Sequence, residues 1–374
     1  MAVRVSRPLR IAVIGAGIAG LTAFAALRRQ GHASVVFERT ERFEPIGAGI
    51  QLAPNGTRLL ARIGVLEDLV TAGTRPAAIE LRRSSDDAVI GRTALGAACV
   101  DAYGAPYLTL HRADLHDRLR QAAEPCMGRE VVGIVDGGGT VELCFTDGSL
   151  AAADLVVGAD GVHSTVRAAL GGTAAERSGL TVHRGLVPAD RLGPASEPLV
   201  RIWLGPGRHF VHYPIGRGRT NFAAVQNGAG SLADAYRGWP PDVRKILDAA
   251  ESVTRWPVLD SAAPAHWSTR RVVLIGDAAH PLLPLGAQGA NQAIEDAFAL
   301  ATCLYPDIRP EDVPRALQRY RRARAPRLER VTAEIRANLA DHHRASDQER
   351  AARDRSLASQ AWLYGYDAGR MSDD

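Results

Sequence analysis

Gly15, Gly17 and Gly20 stand at GxGxxG spacing, and Glu38 follows eighteen residues after the last of them. That spacing suits a bound dinucleotide. The first glycine permits a tight turn, the second lets the backbone approach a pyrophosphate, and the third lets a helix pack closely on a strand. A helix starting there offers unpaired N–H groups and a positive dipole end to the phosphates. A carboxylate at Glu38 can accept hydrogen bonds from a ribose diol and would repel a 2′-phosphate. Other residues with chemical potential lie further along. Arg112 ends a strand where a guanidinium can reach a phosphate or form a surface ion pair. Asp160 and Asp277 each close an apolar run, the position at which open α/β sheets hold ligands. The segment Arg208-His-Phe-Val-His-Tyr-Pro214 carries two histidines and a tyrosine at strand spacing.

The elements that must position these residues follow from the pattern. Ile11–Ile14 reads as a buried strand, Leu21–Gln30 as a helix, and Ser34–Phe37 as the next strand. Pro45–Asn55 is glycine-rich and almost uncharged. With no side chains at Gly47 and Gly49 it can lie flush against a flat ligand, or serve as an ordinary connection. A helix is expected over Gly56–Ile63, hairpin arms at Ala77–Arg83 and Ala88–Leu95, and a strand at Leu108–Arg112 before a helix over Ala113–Ala123. Val131–Val135 and Val141–Phe145 form a further hairpin signal. From Leu180 to Asp260 the texture changes to short alternating strands, among them Val200–Leu204, Phe210–Ile215 and Asn221–Gln226. Arg271–His280 returns to the first sheet, and a proline-rich turn leads into a helix near Gln288. Asp312–His342 reads as a long helix, and the tail to Asp374 fades into polar residues.

These signals predict an α/β chain with a Rossmann-like dinucleotide-binding domain built discontinuously from residues 1–75, 108–180 and 264–310. A β-sheet domain over 76–107 and 181–263 and a helical C-terminal region over 311–374 complete the expected organisation. A chain of 374 residues that is 46% hydrophobic can bury a large core. No uninterrupted apolar run reaches the ~18 residues of a membrane span, so a cytoplasmic protein without membrane partners is expected. Cys99, Cys126, Cys144 and Cys303 form no CxxC pair, so neither a metal site nor a disulfide framework is indicated. The net charge is +4 with Lys245 the only lysine. The densest cluster, seven arginines from Arg315 to Arg330, falls on a helical pattern and reads as a solvated face, so nucleic acid is not an expected partner.

Three separated motifs coincide: GAGIAG with Glu38, GADGVHSTVR at 158–167, and LIGDAAHPLLPLGAQGANQAIEDA at 274–297. Together they resemble the class A, single-component FAD-dependent aromatic monooxygenases, from about Arg10 to Arg330. IGAGIQLAPN and HFVHYP look most like the branch with salicylate hydroxylase, 3-hydroxybenzoate 6-hydroxylase and 6-hydroxynicotinate 3-monooxygenase. The resemblance implies a p-hydroxybenzoate hydroxylase-like fold with non-covalent FAD. It implies that Gly15, Gly17, Gly20 and Glu38 hold the ADP half, with Arg39 beside the adenosine, and that Arg112 reaches the pyrophosphate. Asp160 would serve both FAD and the nicotinamide cofactor, and Asp277 the ribityl chain. Gly49, Pro284 and the helix start at Gly289 and Ala290 would lie against the flavin, with His280 behind it. A single GxGxxG fits NADH or NADPH as a transient co-substrate.

The implied chemistry is oxygen transfer from a flavin hydroperoxide to an electron-rich ring, with a small aromatic substrate and O₂ as partners of a monomer or homodimer. Period two places His209, Val211 and Tyr213 on one strand face and Phe210 with His212 on the other. The family's strand faces substrate with the first set. His209 is then the base candidate because an ordinary histidine titrates near operating pH, Tyr213 the second polar contact, and His212 the alternative base. Gln51, Trp203, Val211 and Pro284 are candidate pocket residues. No extra acid or base is apparent at Gln51 or Leu285, and Arg201 and Arg217 are the arginines considered for a substrate carboxylate. A neutral phenol, an N-heterocycle or a natural-product intermediate stays open as substrate. An FAD-dependent dehydrogenase or reductase is the alternative activity; a flavin halogenase would need a better-placed lysine than Lys245 and a WxWxIP run, which is absent.

The convergence of three motifs on one cofactor predicts a yellow protein that releases one FAD per chain on denaturation, measured by absorbance and chromatography of the released flavin. A preparation carrying stoichiometric NAD and no flavin would overturn it.

Overall fold

The computed structural model describes residues 8–43, 47–193, 197–260, 267–343, 346, 349 and 354–370; the beginning of the glycine-rich loop, at 44–46, lies outside them. In chain order the strands and helices are β1 (Ile11–Ile14), α1 (Ile18–Arg29), β2 (Ser34–Phe37), β3 (Gly49–Leu52), α2 (Pro54–Arg62), α3 (Leu66–Ala72), β4 (Ala78–Arg83), β5 (Val89–Ala94), α4 (Gly96–Tyr103), β6 (Leu108–His111) and α5 (Arg112–Arg120). Then come β7 (Val131–Asp136), β8 (Val141–Phe145), β9 (Leu150–Ala153), β10 (Leu155–Gly158), α6 (Thr165–Ala169), β11 (Glu176–Pro188), β12 (Leu199–Gly205), β13 (Arg208–Pro214) and β14 (Arg219–Asn227). The last are α7 (Leu232–Ala235), α8 (Pro241–Asp248), β15 (Ser252–Asp260), β16 (Val272–Leu274), α9 (Gly289–Cys303) and α10 (Val313–His343).

Two sheets dominate. The parallel sheet has the order β16-β10-β1-β2, so segments distant in sequence become neighbours. Three of its strands, β1, β10 and β16, are apolar runs buried at every residue, as parallel strands covered on both faces are; β2, at the edge, is partly exposed. α1 packs on this sheet because Gly20 has no side chain: a Cβ there would lie 1.9 Å from the Gly15 carbonyl oxygen. Gly15 adopts φ +100, a conformation open to glycine. The larger sheet has seven strands in the order β15-β11-β14-β13-β12-β4-β5. Its backbone is antiparallel except where β12 runs parallel to β4.

Several elements differ from the sequence reading. β11 begins at Glu176, earlier than the change of texture at Leu180, and runs thirteen residues because it pairs on both sides, with β14 and β15. The tail does not fade away: Asp354–Arg370 folds back, with a short helix over Ala361–Tyr364 and Leu363, Tyr364 and Ala368 buried. Arg58 of α2 holds it by donating to the carbonyls of Tyr364 and Tyr366, and Arg62 pairs with Asp367. Among the described residues no helix is long and apolar enough to cross a membrane.

The arginine-rich stretch of α10 is only in part a solvated face. Arg324 is fully buried, bonding Asp296 Oδ1 at 2.7 Å and Glu295 Oε2 at 2.6 Å, and Arg327 bonds Glu295 Oε1 at 2.9 Å. Helical spacing brings 324 and 327 to the side that faces α9. Burial opposes ionisation of Asp296, but His280 and Arg324 outweigh it and hold the carboxyl at about 2. Its folded value lies below the unfolded one, so the stability it supplies is present above about pH 4 and is lost as the pH falls toward 2. Arg324→Leu should strip both carboxylates of their main counter-charge and cost about 3–5 kcal/mol, read as a lowered denaturant midpoint. A loss below about 1 kcal/mol would mean that the pair is not coupled as the geometry requires.

Candidate functional site

A cavity of about 540 Å³ lies between the two sheets, and most of the residues singled out by sequence meet there. Gly17 and Ile18 contribute from the first turn, Gly49 and Gln51 from β3, Arg112 from the start of α5, and Asp277 from the end of β16. Pro284 comes from the proline-rich turn, Gly289 and Ala290 from the start of α9, and His209, Val211 and Tyr213 from β13.

The first turn leaves a cradle. A Cβ at Gly17 would meet nothing within 4 Å, and no side chain caps the N-terminus of α1. The Glu38 carboxylate stands beside this turn, accepting from Ala16 N–H at 2.8 Å and from Thr40 N–H at 3.0 Å. His116 Nε2 lies 2.8 Å from the Ala16 carbonyl oxygen on the other side. Arg39 is exposed beyond the end of β2. Arg112 and Asp277 both border the cavity and feel each other's charge. Burial lowers the Arg112 guanidinium, with Asp277 opposing it; burial raises the Asp277 carboxyl, with His280 and Arg112 opposing it.

Asp160 differs from the expectation. Its neighbours Ala159 and Gly161 border the cavity, while its carboxylate caps α6, accepting from Ser164 Oγ at 2.5 Å and from Thr165 N–H at 2.8 Å. A five-residue helix with buried N–H groups needs that acceptor. Arg167, which sequence reading passed over, is buried and donates to the carbonyl of Ala278 at 3.2 Å, tying α6 to the turn that carries Asp277.

On the large sheet the alternation along β13 is the expected one, with His209, Val211 and Tyr213 toward the cavity. Phe210 and His212 lie on the opposite face, packed on Trp203. Trp203 is therefore a correction. It does not line the cavity; it is fully buried behind the sheet with its indole N–H on Asp87 at 2.7 Å, because strand pairing with Phe210 gives it the far side. Arg201 shares that far side and pairs with Glu80 at 3.6 Å, and Arg217 is exposed and pairs with Asp114. The cavity arginine on this sheet is instead Arg184 of β11. An inward charge in an otherwise apolar strand face was the available signal.

His209 is also corrected. Burial, with His342 and His343 adding positive charge, pushes its imidazole well below the ordinary range, so it is neutral across working pH and not poised near it. Its Nδ1 lies 2.9 Å from His343 Nε2. His212 is pushed down to about 3 by burial and by Arg201 and Arg82. Tyr213 is pushed up to about 12 by burial, with the Arg184 charge opposing, so it remains a phenol. Gln51 accepts from the Tyr107 hydroxyl at 2.7 Å. Gly49 lets this cluster close: a Cβ there would lie 2.7 Å from the Tyr213 ring and 2.6 Å from Asn221. Tyr107 and the tail residues Gln360, Trp362, Leu363 and Tyr364 complete the wall; nothing in their local sequence marked them, since only the chain's return brings them here.

The model of the FAD binding domain family matches residues 9–204 and 242–335. The 3-amino-4-hydroxybenzoate 2-monooxygenase of Streptomyces cremeus is 45% identical over 98% of this chain and 97% of its own. The chain belongs to the FAD-dependent aromatic monooxygenases. A second relative, the 6-hydroxynicotinate 3-monooxygenase of Pseudomonas fluorescens, is 32% identical over 97% of this chain and 96% of its own. HpxO of Klebsiella pneumoniae, solved with FAD and uric acid, matches with a TM-score of 0.83 at 26% identity, over 92% of this chain and 93% of that one. FAD is accordingly the cofactor of this monooxygenase and NAD(P)H its reductant. The cavity fits a flavin on its own evidence: Gln288 Nε2 is buried without a partner among the described residues at the start of α9, a donor suited to a ring carbonyl or nitrogen.

Glu38→Ala should leave the fold intact and weaken FAD about ten- to a hundredfold, as expected for losing charge-assisted bonds to a ribose. Titration of the apoprotein with FAD by flavin fluorescence measures this, and unchanged affinity would remove Glu38 from the ribose.

Proposed function

We propose that this monooxygenase hydroxylates a benzoate carrying a phenolic hydroxyl, with 3-amino-4-hydroxybenzoate the first compound to test. The observation that carries the reading is one cavity face that sets the Tyr213 hydroxyl and the His209 ring among apolar side chains, in a chain 45% identical to an enzyme named for that acid.

In this reading Gly15, Gly17 and Gly20 bring the first turn against the FAD pyrophosphate, Glu38 takes the ribose hydroxyls and Arg39 flanks the adenosine. Arg112 serves the pyrophosphate and Asp277 the ribityl hydroxyls. Gly49, Pro284, Gly289 and Ala290 border the flavin, and the dipole end of α9 favours negative charge on its pyrimidine side. Asp160 acts through its cap on α6, steadying the segment beside the nicotinamide. When bound, FAD takes a hydride from NAD(P)H and activates O₂, so that one oxygen atom enters the ring and the other leaves as water.

The chain's own residues supply orientation and proton handling. Tyr213, a phenol at every working pH, donates to the substrate oxygen; neutral His209 receives the phenolic proton and shares it with His343 through Nδ1. A ring carrying more negative charge is a better nucleophile for electrophilic oxygen. Gln51, Val211 and Pro284 shape the ring's slot. The tail wall of Trp362, Leu363 and Tyr364 keeps water out, which protects the activated oxygen.

His209→Asn should retain FAD while hydroxylated product falls by roughly 10²–10⁴, with NADH oxidation continuing and releasing hydrogen peroxide. Because the wild-type imidazole stays neutral, kcat/KM should show no histidine limb between about pH 6 and 8. Oxygen-electrode traces with and without catalase, beside product chromatography, measure coupling. Full coupling in His209→Asn would overturn the role, and its loss in His212→Ala alone would mean that the strand faces the other way.

A further inference from the structure

The large sheet presents a row of side chains to the cavity at one register level. Leu81 pairs with Ile202, Ile202 with Val211, Val211 with Ala223, and Ala223 with Arg184. All five border the cavity. Four are apolar and the fifth is a guanidinium. Residues paired across adjacent strands share a face, so the row is a floor of aliphatic side chains ending in one positive charge. The neighbouring row carries Tyr213 paired with Asn221, which sets Arg184 diagonally from the Tyr213 hydroxyl.

Among the described residues none satisfies the Arg184 guanidinium. Its Nε is buried with no partner, and among the described residues no ion pair or side-chain hydrogen bond reaches its guanidinium. The other arginines of this sheet's cavity end are neutralised or elsewhere: Arg201 faces Glu80 behind the sheet, Arg82 pairs with Glu80 and Asp87, and Arg255 donates to the Ala229 carbonyl. A guanidinium left half-buried against aliphatic side chains costs free energy unless an anion meets it. A planar carboxylate matches its fork with two parallel hydrogen bonds.

We infer that Arg184 is the substrate-positioning residue that clamps the carboxylate of an aromatic acid, with the ring lying on the Ala223–Val211–Ile202 floor and its phenolic end toward Tyr213. This rests on the hydroxylase reading above and adds the substrate's charge and direction. Discrimination follows: an aromatic acid is held in one direction along the row, whereas a neutral phenol of the same ring can rotate and would be hydroxylated with poor coupling. Arg184 acts by orientation and touches no reacting atom.

The test uses the FAD-loaded enzyme and three probes: 3-amino-4-hydroxybenzoate, its carboxamide and 2-aminophenol. Perturbation of the flavin spectrum gives dissociation constants, and NADH oxidation with product analysis gives coupling. The wild type should bind the acid at least tenfold more tightly than the amide. Arg184→Gln should keep one FAD per chain, weaken the acid by on the order of ten- to a hundredfold and leave the amide and 2-aminophenol within about twofold. Arg184→Lys should recover part of the loss, because charge without the fork restores attraction and not direction.

Equal loss for acid and amide, or a wild type that does not prefer the acid, overturns the clamp. So does release of FAD from Arg184→Gln with acid binding restored on adding FAD, which would place the guanidinium on the cofactor. If Arg184→Gln does not fold, the wild-type preference and Arg184→Lys decide by the same criteria. A wild type whose NADH oxidation responds to 2-aminophenol and not to the acid leaves the hydroxylase reading standing without the clamp. One that responds to no ring overturns the hydroxylase reading itself.

Discussion

Two adjacent carboxylates on α9, Glu295 and Asp296, are fully buried, and the structure around the cavity depends on how they are neutralised. An isolated buried carboxylate would be protonated or would unfold its surroundings. Here Arg324 and Arg327 of α10 supply the counter-charge, and the spare acceptor sites are filled by Gly276 N–H on Asp296 at 2.8 Å and by Asn55 on Glu295 at 2.6 Å. Each bond ties a different segment to α9: Gly276 precedes Asp277, and Asn55 lies in α2 just after the β3 loop. Burial alone would raise Glu295, yet the two arginines bring it below its ordinary value. The network fixes the axial position of α9 and, with it, the place of Gln288, Gly289 and Ala290.

The cavity exists because two sheets with different requirements face each other. The parallel sheet must cover both faces, which forces glycine at the first turn and brings backbone rather than side chains to its carboxyl edge. The large sheet has one face packed on Phe210, Phe222, Trp203 and Tyr236 and leaves the other to the cavity. Apolar alternation on that inner face yields the aliphatic floor. The polar groups on it include His209, Tyr213, Asn221, Arg184 and Thr93. The returning tail seals the remaining side, held by backbone carbonyls that Arg58 and Arg327 recognise.

Titration behaviour shows how far burial outweighs residue type here. Histidine is the side chain that ordinarily titrates near neutrality, and on that ground His209 was expected to be poised. Burial is the larger cause, and two more histidines beside it add to the shift, so the neutral form is favoured. His280 has a carboxylate on its ring, Asp296 at 2.5 Å. The same residue type thus meets a like charge in one place and an acid in the other.

Local chemistry was legible in the sequence wherever function needs a short segment. The glycine spacing, the apolar runs of β1, β10 and β16, and the alternation in β13 each reflect backbone geometry within a few residues, which residue type dictates directly. The sequence alone therefore determined a dinucleotide turn, a parallel sheet, a mainly β unit and the two faces of one strand. Tertiary structure decided what depends on pairing between distant segments. Trp203 went behind the sheet because its register partner is Phe210; Asp160 became a cap because α6 starts beside it. Arg324 left the solvated face of its helix because Glu295 and Asp296, nearly thirty residues earlier, needed a cation. The tail entered the cavity wall through contacts such as Arg58 to Tyr366, 308 residues apart, and no local pattern records it, since burial is a property of the assembled surface and not of the segment that supplies it. Arg184 is marked locally only as a charge in an apolar strand face, and the pairing of β11 with β14 brings it to the cavity.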